Sequence, residues 1–139
     1  NLRGANLTGV NLNWANLQGA RLSGAMVYGA FLTGTNLHRA FLNGLDLMGV
    51  DLGGLNFSKA KLNGATLEAA NLVRADLSLA QMRGVNLAGA DLRKAYLAKA
   101  CLQGANLNWT ILEGADFSDA NLIEATLTGT DLADAIWTG

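Results

Sequence analysis

Few side chains in this sequence are equipped for covalent or metal chemistry. There is one histidine, His38, and one cysteine, Cys101. A thiol or hydroxyl nucleophile needs a base within hydrogen-bond reach, and a structural zinc site needs more Cys and His ligands than these two. Oxygen ligands are more plentiful. Asn or Asp fills 16 of 28 equivalent positions, among them Asn16, Asn36, Asn56, Asp76 and Asp116. Such a ladder could hold a cation or imitate a run of phosphates, but short Asx side chains in tight turns bond the nearby backbone. Their recurrence along the whole chain favours that structural role. The glycines are spread one to a corner, so a stretch such as Gly49 to Gly54 is not a phosphate-cradling loop that opens a helix. The expectation is a non-enzymatic chain with no catalytic, metal or cofactor site.

The composition narrows the choice further. The chain has 139 residues, half of them apolar, with 17 Gly and no Pro. That is one domain with a sizeable core, expected to be a segment of a longer protein, and neither collagen nor a disordered tail. No apolar run approaches the ~20 residues of a membrane span. With no basic-then-apolar leader present, a cytoplasmic location is expected. The net charge of -1 hides a gradient. Residues 1–45 carry three bases and no acid, and residues 46–99 carry seven bases and five acids. Residues 100–139 carry six acids and no base.

A five-residue period decides the fold. Of the 28 positions ending in 2 or 7, 23 are Leu, the exceptions being Val27, Phe57, Met82, Phe117 and Trp137. Of the 27 positions ending in 0 or 5, 19 are Ala, and none of these 55 positions is charged. Five helical residues turn through about 500°, so a helix would wind the Leu around its axis and leave no apolar face. Each of the 16 Gly set two residues after the central position would also cost a helix ~1 kcal/mol. A spacing of two between Ala and Leu suits an extended segment, whose alternate residues share a side. The Gly that follows then supplies the positive φ of a type II turn. Leu and Ala point inward and three residues point outward.

Segments such as Ala5-Asn6-Leu7-Thr8-Gly9, Ala90-Asp91-Leu92 and Ala115-Asp116-Phe117 resemble the pentapeptide-repeat family, and the likeness runs through every pentad. The resemblance implies an all-β fold, a right-handed quadrilateral parallel β-helix over residues 1–139. Four pentads would make one 20-residue coil, and about seven coils would stack into a rod about 34 Å long at ~4.8 Å per coil. One inward column is then Leu12, Leu32, Leu52, Leu72, Leu92, Leu112 and Leu132, with no room left for a substrate. Members of this family are abundant in cyanobacteria, and many resemble a scaffold without assigned activity. Others, the quinolone-resistance members, are DNA mimics that bind a type II topoisomerase and are acidic along the rod.

Function is therefore sought on the outside. The 20-residue coil stacks Tyr28 on Met48, puts Met26 on their wall and sets Phe31 and Phe41 on the flanking walls. Trp109 and Ile111 form a second apolar group around one corner. These seven residues are the candidate partner surface, since grouped exposed apolar side chains mark contacts. The expected partner is an unidentified protein, with no direct nucleic-acid binding and no membrane. The acids Glu113, Asp116, Asp119, Glu124, Asp131 and Asp134 approach the charge density of duplex DNA, one per ~1.7 Å, over the last two coils only. Neither terminus carries a polar cap, and the terminal coils would expose strand edges. Unless the chain continues, partners or head-to-tail self-association would cover them.

Overall fold

Every fifth residue turns the chain by the same device. In a computed structural model of residues 1–139, short extended steps alternate with turns closed by an N–H to C=O bond, as from Ala75 to Leu72 at 2.9 Å. The third turn residue takes a positive φ, as at Gly44 and Gly49, both 65°. Eleven non-glycine residues, from Trp14 to Glu124, take φ between 54° and 61° at the same position. A side chain there costs about 1–2 kcal/mol. The cost is offset by stacking, because all of these but Glu124, in the last coil, still donate to the next coil, as Lys59 does to Ser78 at 2.9 Å and Lys99 to Ser118 at 2.8 Å. Glycine favours the corner, and the ladder enforces it.

Four such steps bring the chain back over itself. All bridges are parallel and join residues 20 apart, as in Asp51 to Asn71 to Asp91 to Ile111. Coils 1 to 7 are taken as residues 1–20, 21–40, 41–60, 61–80, 81–100, 101–120 and 121–139. No helix is long and apolar enough to cross a membrane. Inside, 35 buried apolar residues form one cluster that runs through the stack. Leu52, Leu72 and Leu92 are wholly buried, each contributing ~1.5–3 kcal/mol. Two threonines enter the core, and both are satisfied: Thr35 Oγ1 donates to the Leu12 carbonyl at 2.9 Å and Thr110 Oγ1 to that of Leu107 at 2.8 Å. The cavity inside coils 1 to 3 has a volume of about 20 Å³ and an all-apolar lining that includes Leu12, Val27, Leu45 and Phe57. That is room for at most one water, with nothing to hold it.

The ladder is less regular than the unbroken period suggests. Between coils 2 and 3 the amides of Gly24, Val27, Gly29, Leu32 and Gly34 donate to nothing, and neither do those of Asp46, Asp51 and Asn56. One coil further on, Leu47, Gly49, Leu52 and Gly54 all donate across at 2.8 Å. The interruption coincides with Leu45, Val50 and Leu55, three consecutive bulky residues where Ala is usual. Single replacements flanked by Ala, Val10 and Val85, leave the ladder whole. A shorter gap at Leu112 and Asp131 falls where Thr110 lies under Thr130. Bulk stacked on this shelf holds neighbouring coils apart.

Candidate interaction surface

The Asx oxygens are already in use. In all 16 equivalent positions the Asn or Asp Oδ1 accepts the backbone N–H two residues on, as Asn16 does from Gln18 and Asp76 from Ser78. Nowhere do three His, Cys, Asp or Glu side chains gather as a metal would require. The ladder is a set of turn braces.

His38 has a neighbour that the sequence motifs did not include. Its Nδ1 lies 2.7 Å from Ser58 Oγ, which in turn donates to Asn56 Oδ1 at 2.6 Å. The spacing of 20 between His38 and Ser58 was the available signal. This arrangement runs the wrong way for a nucleophile: the hydroxyl proton points to an amide oxygen, so Nδ1 is left to donate to Oγ rather than to deprotonate it. Cys101, half-buried, receives the Arg83 Nε–H at 3.3 Å. It lies more than three coils from His38.

The apolar candidates divide into distinct settings. Met26, Tyr28 and Met48 come together around one groove of about 380 Å³ on the flank between coils 2 and 3, with Val50 in its floor and Asp46 at its rim. Tyr28 is 83% exposed, the most open large apolar side chain of the molecule. Phe31 stands exposed on the adjoining wall. Phe41 is half-buried, with the Arg21 guanidinium 5.4 Å from its ring centre and the Lys61 ammonium at 4.9 Å. Trp109 lies over Gly129 so closely that a Cβ there would overlap its ring. With Ile111, Glu113, Asp131 and Asp134 it lines a cleft of about 350 Å³. Trp14 covers Gly34 in the same way. It was not among the sequence candidates, although Trp14 and Gly34 are 20 apart.

Charge is arranged along corners. Arg39, Lys59, Leu79 and Lys99 follow one another at intervals of 20, so one edge of the rod is basic through its middle. The single salt bridge joins Arg93 Nη2 to Asp91 Oδ2 at 2.6 Å. That side-chain bond holds the Asp91 carboxyl below its usual range against the opposing effect of burial, aided by the Arg93 amide and then by the Arg93 charge. The Asp116 carboxyl is lowered by the Ser118 hydroxyl first and the Ser118 amide second.

Comparison with known proteins agrees with this geometry. The family profile "Pentapeptide repeats" matches in 8 copies, over residues 1–24, 15–54, 52–88, 60–97 and 100–136. A search of curated proteins finds no match. Among solved structures, HetL, a pentapeptide repeat protein involved in heterocyst differentiation regulation from the cyanobacterium Nostoc sp. strain PCC 7120, is 37% identical with a TM-score of 0.89. The likeness covers 96% of this chain and 62% of the HetL chain, so this chain spans under two thirds of its relative's length. Two structures of trypsin-treated variants of QnrB1, a plasmid-mediated fluoroquinolone resistance protein, share the fold at lower identity. One is 18% identical with a TM-score of 0.64, covering 94% of this chain and 75% of that one. The other is 17% identical with a TM-score of 0.55, covering 90% and 84%. The right-handed, four-sided β-helix of these proteins is the fold described above. This chain belongs to the pentapeptide-repeat family.

Proposed function

We propose that the chain is a non-enzymatic scaffold that binds a partner protein through the groove formed by Met26, Tyr28 and Met48. The observation that carries this reading is the grouping of these three exposed apolar side chains around one groove. The interior is filled and the Asx oxygens brace turns, which leaves the outer walls for recognition. Exposed apolar side chains already gathered around one groove favour contact. Asp46 at the rim favours a partner with a cation beside its apolar side chain. The regulatory role of HetL, a similar rod, supports a function exercised through contacts.

The two apolar and charged features separate by salt. Association of the acidic end, Glu113 to Asp134, with the acid-free end that carries Arg3, Arg21 and Arg39 weakens with ionic strength, since exposed charges beyond ~8 Å are screened at 0.15 M. Association through Tyr28 and Met48 does not. Sedimentation at low and high salt, with Tyr28→Ser/Met48→Ser as the control, distinguishes head-to-tail stacking of copies from the apolar route. A rod that is monomeric throughout and retains no protein removes support for the scaffold. The second reading, a DNA mimic acting on a type II topoisomerase, draws on the six acids beyond residue 100 and the fold shared with QnrB1. Inhibition of DNA supercoiling by the purified rod selects it.

A further inference from the structure

We propose that the rod contains a parting line between coils 2 and 3, a clamshell open along two adjoining walls and hinged at the corner between the other two. The open walls are those where Gly24, Val27, Gly29, Leu32, Gly34, Asp46 and Asp51 leave their amides without acceptors, and the gap ends at the Asn56 amide, which is also unpaired although the Asn56 carbonyl accepts from Leu37. No hydrogen bond, from backbone or side chain, joins residues 24–34 to residues 43–54. The hinge side is reinforced. Leu37 donates to Asn56 at 2.9 Å, Arg39 to Ser58 at 3.0 Å and Leu22 to Phe41 at 2.9 Å. The His38–Ser58 bond of 2.7 Å lies on this side. Phe41, on the adjoining hinge wall, is held between Arg21 of coil 2 and Lys61 of coil 4.

The cause is in the sequence. Leu45, Val50 and Leu55 lie over Ala25, Ala30 and Thr35 along the open sides, while Ala60 lies over Ala40 at the hinge. The shelf side chains prop three corners and spare the fourth. Coil 3 keeps its full ladder to coil 4, so the bulk is accommodated on the coil 2 side. That side is also the looser one. Val27 stands there in a Leu column, and the apolar cavity of about 20 Å³ lies directly inside. Outside the seam, Asp46 and Asp51 lie over Met26 and Phe31, and neither carboxylate bonds coil 2: Asp46 accepts from Met48, and Asp51 accepts from Gly53 and from Asn71 of coil 4. Nothing on the outer wall replaces the lost ladder. Residues 1–40 therefore swing on the Leu37–Ser58 side as one leaf, and opening bares Val27, Leu32, Leu47 and Leu52 while coils 3 to 7 stay folded.

Amide hydrogen exchange on the intact chain tests this. Ordinary fraying makes coil 1 of this chain exchange fastest, with protection rising inward. A parting line inverts that order: Val27, Gly29, Leu32 and Gly34 exchange at least about tenfold faster than Leu7, Gly9, Leu12 and Trp14, which donate fully to coil 2. Equal or greater protection at Val27 and Leu32 overturns the proposal. The variant Leu45→Ala/Val50→Ala/Leu55→Ala restores the shelf and slows exchange at Leu32 and Gly29 toward the rates of Leu52 and Gly49. If it folds by circular dichroism and leaves those rates unchanged, the wedge is overturned. If it does not fold, the wild-type exchange order still decides.

Discussion

Ser58 Oγ lies 2.7 Å from His38 Nδ1, one coil above it, and serves as a strut between coils rather than as a nucleophile. Because its own proton goes to Asn56 Oδ1 at 2.6 Å, Ser58→Ala removes two hydrogen bonds of about 0.5–1.5 kcal/mol each at most. The expected result is a modest fall in melting temperature and no labelling of wild-type Ser58 by a serine-directed fluorophosphonate. Labelling that disappears in Ser58→Ala would reveal an activated hydroxyl and contradict the reading.

The inward phase is tested by adjacent residues. Leu72 is wholly buried, so Leu72→Ala should cost about 2–5 kcal/mol, and Leu72→Asp should cost more because it buries an unpaired charge. Asn71 faces outward, accepting from the Val73 amide at 3.1 Å and donating to Asp51 at 2.8 Å. Asn71→Ser should lose less than about 1.5 kcal/mol. Denaturant melts of the variants measure the gap, and equal losses would put the wrong residue inside.

Two glycines with the same backbone angle should differ in tolerance. Gly44 (φ +65°) has open space where a Cβ would stand, whereas at Gly34 (φ +66°) the Trp14 ring occupies it. Gly44→Ala should cost only the left-handed backbone, about 1–2 kcal/mol. Gly34→Ala should cost more, and Trp14→Ala should return it to the Gly44→Ala value. A double-mutant cycle with no coupling would show that the ring does not lie over Gly34.

Acid should weaken the rod in a defined direction. The Asp91 and Asp116 carboxyls are lowered by Arg93 and Ser118 respectively. A depressed folded pKa gives stability that is present above the unfolded value of ~3.9 and is lost as pH falls through the folded one. The melting temperature should therefore lose these contributions below about pH 4 and not between pH 7 and 5. Asp91→Asn/Asp116→Asn should flatten the acid limb slightly, since both carboxyls are only half-buried and the one ion pair among them, Asp91 with Arg93, is open to solvent. A loss centred above pH 5 would assign the effect to other groups.

Much of this was readable because a 20-residue coil makes sequence distance into contact. Leu32, Leu52 and Leu72 could be stacked on paper, as could Tyr28 on Met48, and the Asx braces followed from residue type alone. The same arithmetic joins His38 to Ser58, Trp14 to Gly34 and Trp109 to Gly129, but those links appear only when unlike residues are compared along a column. The interrupted ladder is of another kind. Leu45, Val50 and Leu55 were visible as departures from Ala, yet which neighbouring coil yields depends on the packing of Val27 and the Leu around it. Eleven left-handed corners without glycine were likewise hidden, because the stacked coils and not the local residue hold them.

The central claim is that recognition resides in the groove of Met26, Tyr28 and Met48. The most direct measurement compares immobilised wild-type rod with Tyr28→Ser/Met48→Ser, matched in melting temperature, for retention of protein from an extract at about 0.15 M and 1 M salt. A specific protein should be retained by the wild type at both salt concentrations and lost by the double variant. Equal retention by both rods, or retention that salt alone abolishes, would contradict the claim.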